Sequence, residues 1–168
     1  DLHKEYRRQR QMCIRDRQDT LHFIKKAEKD TLAVYKYPEG TLVDLNEADT
    51  TELKKIPGIG SGIARMIVAY RKRLGGFYDM AQLKEVNYVD EDMLRWFKLG
   101  NAPIHRINAN KAGLDKLRSH PYMNFYQAKV IIEYRRKKGK LKSLSQLSLY
   151  EEFTEKDLER LSHYLAFD

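Results

Sequence analysis

The sequence predicts an all-α protein with two tandem copies of one small unit, each of about four short helices, and a candidate helix near the N-terminus. Long alternating strand patterns are absent from the chain, whereas helical periodicity and capping residues recur. A shift of 64 residues aligns thirteen identical pairs without a gap, from Asn46 with Asn110 to Leu94 with Leu158. This register indicates an internal duplication.

The repeat divides the chain into three parts. Residues 1–42 form an N-terminal extension and linker, residues 43–103 hold the first copy, and residues 104–168 hold a second, diverged copy. Within the extension, "LHFIKKAEK" is the candidate helix, and "YKYPEGT" is typical of a turn or linker.

The segment "MCIRDR" at residues 12–17 does not read as part of a natural protein. It resembles the translation of a transposon-end sequence that is used in preparing sequencing libraries, and it contains the only cysteine, Cys13. We therefore interpret it as an artefact and expect residues 1–17 to be poorly packed, with the authentic N-terminus unknown. The alternative is a genuine basic helix or arm.

Composition narrows the classes of function. The chain has 168 residues with 42% hydrophobic content, enough for one ordinary domain or two small ones. Its net charge of +8 favours a polyanionic partner. One cysteine excludes an internal disulfide, and five histidines without ligand spacing predict no metal centre or other cofactor. No apolar run is long enough for a membrane span, so no anchor is predicted in this chain.

Local signals define the first two helices of the first copy. The pattern Asp49-Thr-Thr-Glu52 is a capping box that starts the first helix. The second helix is predicted from about Ser61 to Arg73, with Ile63, Ile67 and Tyr70 on one face.

The second copy repeats these signals in part. Its first helix has no equally good cap, and its second helix is predicted from about Tyr126 to Lys138. Gly75 and Gly139 are predicted to end the long helices in the left-handed conformation. The third and fourth helices begin at Asp79-Met-Ala-Gln82 and Asp90 in the first copy, and at Ser143-Leu-Ser-Gln146 and Thr154 in the second.

The stretch "IPGIGSG" predicts a tight hairpin between the first two helices. Pro57 ends the first helix because a proline disfavours helical geometry in the residue before it. Gly58 and Gly60 are predicted to reverse the chain with positive φ, and Ile56 and Ile59 are predicted to enter the core.

This hairpin leaves the first turn of the second helix available to an anion. Its amides have no helical partners, and the helix dipole adds partial positive charge there. Without side chains at Gly60 and Gly62, a phosphate can approach the amides of these residues and of Ser61. Lys54, Lys55 and Arg65 add Coulombic attraction. The alternative is that the glycines only join two packed helices tightly.

The segment "DLNEADTTELKKIPGIGSGIARMIVAYRKRLGGFYDMAQLKEV" resembles the helix-hairpin-helix module of the ComEA family of competence DNA receptors. Residues 43–168 resemble tandem helix-hairpin-helix proteins of Bacteroidota-type bacteria, with two such domains. The resemblance implies DNA binding without sequence specificity. The residues it assigns to this contact are Gly58, Ile59, Gly60, Ser61, Gly62 and Arg65.

The resemblance carries two further implications. Loop carbonyls of related hairpins can hold a monovalent cation at the DNA interface, and whether Ile56 or Ile59 does so here stays open. Related proteins commonly carry an N-terminal membrane anchor, which suggests an envelope location that this chain itself does not show.

Of the two copies, only the second carries a net charge. Residues 43–103 contain nine basic and nine acidic residues, whereas residues 104–168 contain thirteen and eight. A cluster at the end of the long helix is a candidate for secondary DNA contacts, or else a solvated face that stabilises the helix dipole. Its members are Arg135, Arg136, Lys137, Lys138, Lys140 and Lys142.

The second hairpin has lost its glycines, since "PYMNFY" replaces "PGIGSG". Tyr122, Phe125 and Tyr126 occupy positions where a phosphate needs open backbone, so we predict no phosphate site there. These aromatic residues can stack on unpaired bases, or pack against the first copy or a protein partner.

Two functions follow from these observations. The first is a binding module for double-stranded or nonspecific DNA in uptake, processing or repair. The second is a structural or protein-interaction module that uses the diverged copy. Catalysis is not predicted, because no nucleophile with a base and an orienting group is visible.

Overall fold

Each copy of the repeat forms a small helical module whose two ends are joined by a parallel pair of two-residue strands. The structure is a computed structural model and describes residues 35–168. The interpretations of residues 12–17 and of "LHFIKKAEK" therefore lie outside the described residues. The predicted all-α class with two tandem units is confirmed.

The first module, residues 43–98, contains both helices that flank the glycine hairpin. It comprises β1 (Val43–Asp44), α1 (Thr50–Leu53), α2 (Ser61–Leu74), a 3₁₀ helix (Met80–Glu85), α3 (Glu91–Leu94) and β2 (Phe97–Lys98). Strands β1 and β2 pair in parallel, with Val43 opposite Phe97. The predicted start of the long helix at Ser61 is confirmed.

The second module, residues 107–166, repeats this order. It comprises β3 (Ile107–Asn108), α4 (Leu114–Arg118), α5 (Phe125–Lys138), a 3₁₀ helix (Leu144–Gln146), α6 (Glu155–Ser162) and β4 (Leu165–Ala166). Ile107 lies opposite Leu165 in the parallel pair. The long helix begins one residue before the predicted Tyr126.

Most predicted caps form, and one predicted helix end is wrong. The Asp49 carboxylate accepts bonds from the amides of Thr51 and Glu52, both at 2.7 Å, and the Asp49 amide donates to Glu52 Oε2 at 3.3 Å, which completes the capping box. Gly75 ends α2 in the left-handed conformation, with φ +94° and ψ 5°. Gly139 has φ +87° but ψ −159°, because the chain leaves α5 in an extended direction.

Several residues that are identical in both copies hold the module frame together. The Asn46 side chain donates to the Phe77 carbonyl at 2.9 Å and accepts from the Phe77 amide at 2.8 Å. In the second module, 64 residues later, Asn110 makes both bonds to Leu141, each at 2.8 Å. These side chains satisfy backbone groups in the segments that follow the two long helices.

The two matched arginines play a similar role. Arg71 Nη1 donates to the carbonyls of Leu45 and Ala48 at 2.9 and 2.8 Å. Arg135 Nη1 donates to the carbonyls of Ala109 and Ala112 at 3.3 and 2.6 Å. Each arginine therefore ties its long helix to the segment that precedes the first helix of its module.

Apolar residues form one core in each module, and the second module also contributes to the first core. Ile56, Ile59 and Ile67 are fully buried in the first module, as Leu117 and Ile131 are in the second. Tyr164 is fully buried as well, but it packs within the first core although it precedes β4 in the chain.

Hydrogen bonds and an ion pair join the two modules, at Glu85 and at Gly76 of the first module. The Tyr122 hydroxyl donates to Glu85 Oε2 at 2.8 Å, and Arg160 lies 3.4 Å from Glu85 Oε1. The Tyr164 hydroxyl donates to the Gly76 carbonyl at 2.8 Å. Burial raises the pKa of Tyr122 to about 12, so its hydroxyl keeps the proton that it donates at neutral pH.

His120 is a second link between the modules. Its ring is 2% exposed, its Nε2 lies 3.0 Å from the Leu74 carbonyl, and its Nδ1 accepts from the Tyr122 amide at 3.2 Å. These partners require a neutral ring with the proton on Nε2. Burial lowers the pKa of His120 to about 4; the bond to Leu74 opposes this shift, and the charges of Arg73 and Lys116 add to it.

We predict that this histidine makes the fold less stable in acid. An unfolded His120 takes up a proton near pH 6.5, whereas the folded one resists protonation down to about pH 4. Its contribution is therefore complete above pH 6.5 and is lost as the pH falls toward 4, by at most about 3 kcal/mol. Urea unfolding at pH 7.5 and 4.5 measures this loss.

The matched comparison is His120→Gln against His105→Gln, since the His105 side chain is exposed. A glutamine at position 120 can still donate to the Leu74 carbonyl but does not titrate, so the pH dependence should become shallower. Equal pH dependence in the two variants would contradict the prediction.

Candidate nucleic-acid interface

The glycine hairpin connects α1 to α2 through a turn that buries its two isoleucines. The Ile59 amide donates to the Ile56 carbonyl at 3.1 Å, and both side chains lie in the first core. Their predicted burial is confirmed. Between them, Gly58 is exposed with φ +83°, a conformation that favours glycine.

Gly60 departs from its predicted conformation. Its φ is −95° and its ψ is 179°, so it is extended rather than left-handed, and any residue could adopt this backbone. What distinguishes Gly60 is space, because a Cβ built there, or at Gly62, meets no atom within 4 Å.

The N-terminus of α2 is open to an anion. Gly60 is the N-cap residue and makes no side-chain cap bond. The first turn of a helix carries amides without intrahelical acceptors and the positive end of the dipole. Gly60, Ser61 and Gly62 are all exposed. The backbone here therefore presents donors to solvent in a geometry that suits a phosphate.

The predicted cations around this turn have different environments. Arg65 is exposed, and its Nε donates to the Ser61 carbonyl at 3.2 Å, which places its guanidinium one turn into α2. The Lys55 ammonium lies 5.6 Å from the centroid of the Tyr37 ring. Lys54 is partly exposed, and its carbonyl accepts a bond from Lys36.

Sequence reasoning missed Lys36, which reaches the hairpin from the linker. Its Nζ donates to the carbonyls of Lys54, Ile56 and Ile59 at 2.6, 3.1 and 3.3 Å. The carbonyls of Ile56 and Ile59, which the resemblance left open as ligands of a free cation, thus converge on the ammonium of this side chain. No periodicity or capping pattern marks Lys36 in "YKYPEGT".

The equivalent turn of the second module is closed. Asn124 occupies the position of Gly60, and its Oδ1 accepts from the Gln127 amide at 2.9 Å while Gln127 Oε1 accepts from the Asn124 amide at 3.0 Å. This capping box fills the N-terminus of α5. Phe125 and Tyr126 stand beside it, with 45% and 67% of their surface exposed.

The loop of the second hairpin is also docked against the first module. Besides its bond to Glu85, the Tyr122 hydroxyl accepts from Gln82 Nε2 at 2.9 Å. Of the alternatives for the aromatic residues, Tyr122 therefore follows the packing between copies. Phe125 and Tyr126 instead contact each other edge to face, with ring centroids 5.6 Å apart.

The basic cluster of the second module divides into one internal and five exposed residues. The Arg135 guanidinium bonds to the carbonyls of Ala109 and Ala112. Lys137 lies 3.7 Å from Glu133, and the Lys138 ammonium lies 5.6 Å from the Tyr134 ring centroid. The exposed members are Arg136, Lys137, Lys138, Lys140 and Lys142.

No helix within residues 35–168 is both long and apolar enough to cross a membrane. The same range contains no group of three or more histidine, cysteine, aspartate or glutamate side chains placed to hold a metal ion.

Comparison with known proteins found relatives of low identity. The mouse (Mus musculus) "Endonuclease/exonuclease/phosphatase family domain-containing protein 1" is 27% identical over 72% of this chain and 27% of its own length. The Xenopus laevis protein of this name is 25% identical over 72% of this chain and 26% of its length. The chain thus spans about a quarter of these curated relatives. No solved structure gave a significant match.

A family model described as "Helix-hairpin-helix motif" matches the chain twice, at residues 39–96 and 103–166. Each match includes one hairpin and the helices of its module, and together they cover well over half of the sequence. The chain therefore belongs to the helix-hairpin-helix family, with two copies of the motif in tandem.

Proposed function

We propose that this protein binds DNA without sequence specificity and that the open N-terminus of α2 holds a backbone phosphate. The observation that carries the proposal is the difference between two equivalent turns. Gly60 leaves the start of α2 without a side-chain cap, and a Cβ built there meets no atom within 4 Å, whereas Asn124 caps the start of α5.

The chemistry of the open turn favours phosphates over bases. Backbone amides at a helix N-terminus donate to any phosphate oxygen, and such contacts fix position on the nucleic acid without reading its sequence. Ser61 adds a hydroxyl, and Arg65 adds a charge one turn along α2. Double-stranded DNA presents a regular array of these anions.

The second module supports this contact in two ways under the proposal. The bonds of Tyr122 and His120 hold it against the first module, so the open hairpin belongs to a larger packed unit. The five exposed cations of its basic cluster supply long-range attraction, which the first copy lacks because its charges balance. Binding should therefore require both modules.

The proposed role is DNA processing, repair or uptake without chemistry of its own. The curated relatives are named for an endonuclease/exonuclease/phosphatase domain, and this chain matches about a quarter of their length, which supports a DNA-holding part beside another activity. The resemblance to competence receptors supports uptake and an envelope location. The second candidate is a protein-interaction module, favoured by the exposed Phe125 and Tyr126.

We predict that side chains at Gly60 and Gly62 weaken DNA binding without unfolding the protein. The double Gly60→Ala, Gly62→Ala variant places methyl groups where they meet no protein atom but where a phosphate would approach. Losing charge-assisted bonds should lower affinity for a mixed-sequence duplex by about tenfold, and the double valine variant should lower it further. Fluorescence anisotropy at low salt measures the affinity.

The matched control is Gly113→Ala. Gly113 is likewise an extended N-cap without a side-chain bond, and a Cβ there also meets no atom within 4 Å. It should bind DNA as the wild type does. Wild-type affinity in the Gly60 and Gly62 variants, with an unchanged melting temperature, would refute the phosphate site and favour the protein-interaction function.

We also predict that the exposed cluster on the second module sets the salt dependence of binding. Replacing Lys138, Lys140 and Lys142 with glutamine should reduce the slope of log affinity against log salt by up to about 2.7, if each lysine neutralises one phosphate. Titrations from low to moderate potassium chloride measure this slope.

A charge-matched variant separates position from net charge. Lys111, Lys116 and Lys156 are exposed on the same module, and glutamine at these three positions removes the same charge. A smaller change in slope is expected for this variant. Equal slopes in the two triple variants would mean that the cluster makes no special contact with DNA and is a solvated face.

A further inference from the structure

Three backbone carbonyls of the first hairpin converge on one charged group, which belongs to a residue outside the module. They belong to Lys54, Ile56 and Ile59, and the Lys36 ammonium donates to all three at 2.6 to 3.3 Å. An ammonium has three N–H donors and no acceptor, so this arrangement satisfies the group completely. Lys36 is 18 residues from Lys54 along the chain.

The linker around Lys36 is held beside the hairpin by further contacts. The Tyr37 amide donates to the Lys55 carbonyl at 2.8 Å, and the Lys55 ammonium lies over the Tyr37 ring. Thr41 closes the following turn, with its hydroxyl donating to the Pro38 carbonyl at 2.8 Å. The ammonium is therefore positioned by its backbone neighbours.

Carbonyl oxygens that converge in this way form a site for one monovalent cation. Each carbonyl carries partial negative charge, and converging acceptors need a donor or an ion between them. The structure meets that need with the side chain of Lys36. A separate ion on the same three oxygens would have to displace the ammonium.

We propose that Lys36 is the built-in cation of the first hairpin and positions it for the DNA contact. This inference rests on the function proposed above. The tethered charge takes the place of the free monovalent ion that the competence-receptor resemblance implies. DNA binding by this protein is then indifferent to the identity of the monovalent salt cation, beyond ordinary screening.

The position of the Ile59 carbonyl explains how Lys36 acts without touching the phosphate. In a planar trans peptide the C=O and N–H bonds point in opposite directions. When the Ile59 carbonyl is drawn to Lys36, the Gly60 amide is aimed to the other side of the peptide. A charged donor on the carbonyl also polarises the peptide and strengthens the amide as a donor.

Cation substitution tests this role on the full chain. Duplex affinity is measured at constant ionic strength in potassium chloride and in tetramethylammonium chloride, whose cation is too large for the site and has no N–H donor. The wild type should bind equally in both salts. Lys36→Met should bind about tenfold more weakly in tetramethylammonium and recover most of this loss in potassium, because the vacated carbonyls can take the ion.

The matched variant is Lys55→Met, which removes a neighbouring charge that bonds to none of the three carbonyls in the structure. It should show no recovery in potassium. A potassium requirement in the wild type, or a loss in Lys36→Met that potassium does not reverse, would overturn the proposal.

Melting temperatures without DNA keep this inference separate from the DNA-binding function. Potassium should raise the melting temperature of Lys36→Met relative to tetramethylammonium but leave the wild type unchanged. If no variant binds DNA and this difference persists, the proposed function fails while the carbonyl site stands. If the difference is absent, the carbonyl site fails whatever the DNA result.

Discussion

The structure depends on how the ends of its short helices satisfy their backbone polar groups. Helix α1 has four residues and α4 has five, so a large share of their amides and carbonyls has no intrahelical partner. Capping side chains such as Asp49 at the start of α1 fill this need, and the matched asparagines and arginines do the same for the segments between the helices. The two long helices differ at their starts, since α5 starts with a capping box and α2 starts with a bare glycine.

The two copies share the side chains that hold each module together and differ in their hairpins. Asn46 and Asn110, and likewise Arg71 and Arg135, make equivalent bonds to backbone groups, so the frame of both modules depends on the same chemistry. The hairpins have diverged instead. In the first, the absence of side chains exposes amides to solvent. In the second, Asn124 stands at the position of Gly60 and caps the helix, and Tyr122 stands at the position of Gly58 and contacts the first module.

The sequence predicted those features that depend on neighbouring residues. The position of the long helix α2, the capping box at Asp49 and the burial of Ile56 and Ile59 follow from local periodicity and turn chemistry. The predicted positive φ of Gly60 was wrong, because a glycine can also keep the space beside the backbone open while its own conformation is extended. That distinction requires coordinates of the surrounding atoms.

Features that depend on distant residues were not predictable in the same way. Tyr164 bonds to Gly76 across 88 residues, and Lys36 reaches the hairpin from a linker without any periodic pattern. Arg135 was grouped with its basic neighbours by charge, but charge does not give the direction of a side chain. Its alignment with Arg71 in the repeat was the one signal of its internal role.

The open amides lie in the first module, whereas the excess positive charge of the two copies lies in the second. This separation has a physical consequence for the proposed DNA binding. Hydrogen bonds from helix amides act only at contact and require close approach, whereas exposed lysines attract a polyanion over about 10 Å at 0.1 M salt. Under the proposed function, charge on the second module brings DNA near in many orientations, and the open turn of α2 then selects one. The first module has balanced charge, and three carbonyls of its hairpin bind one further cation from outside the repeat, the Lys36 ammonium.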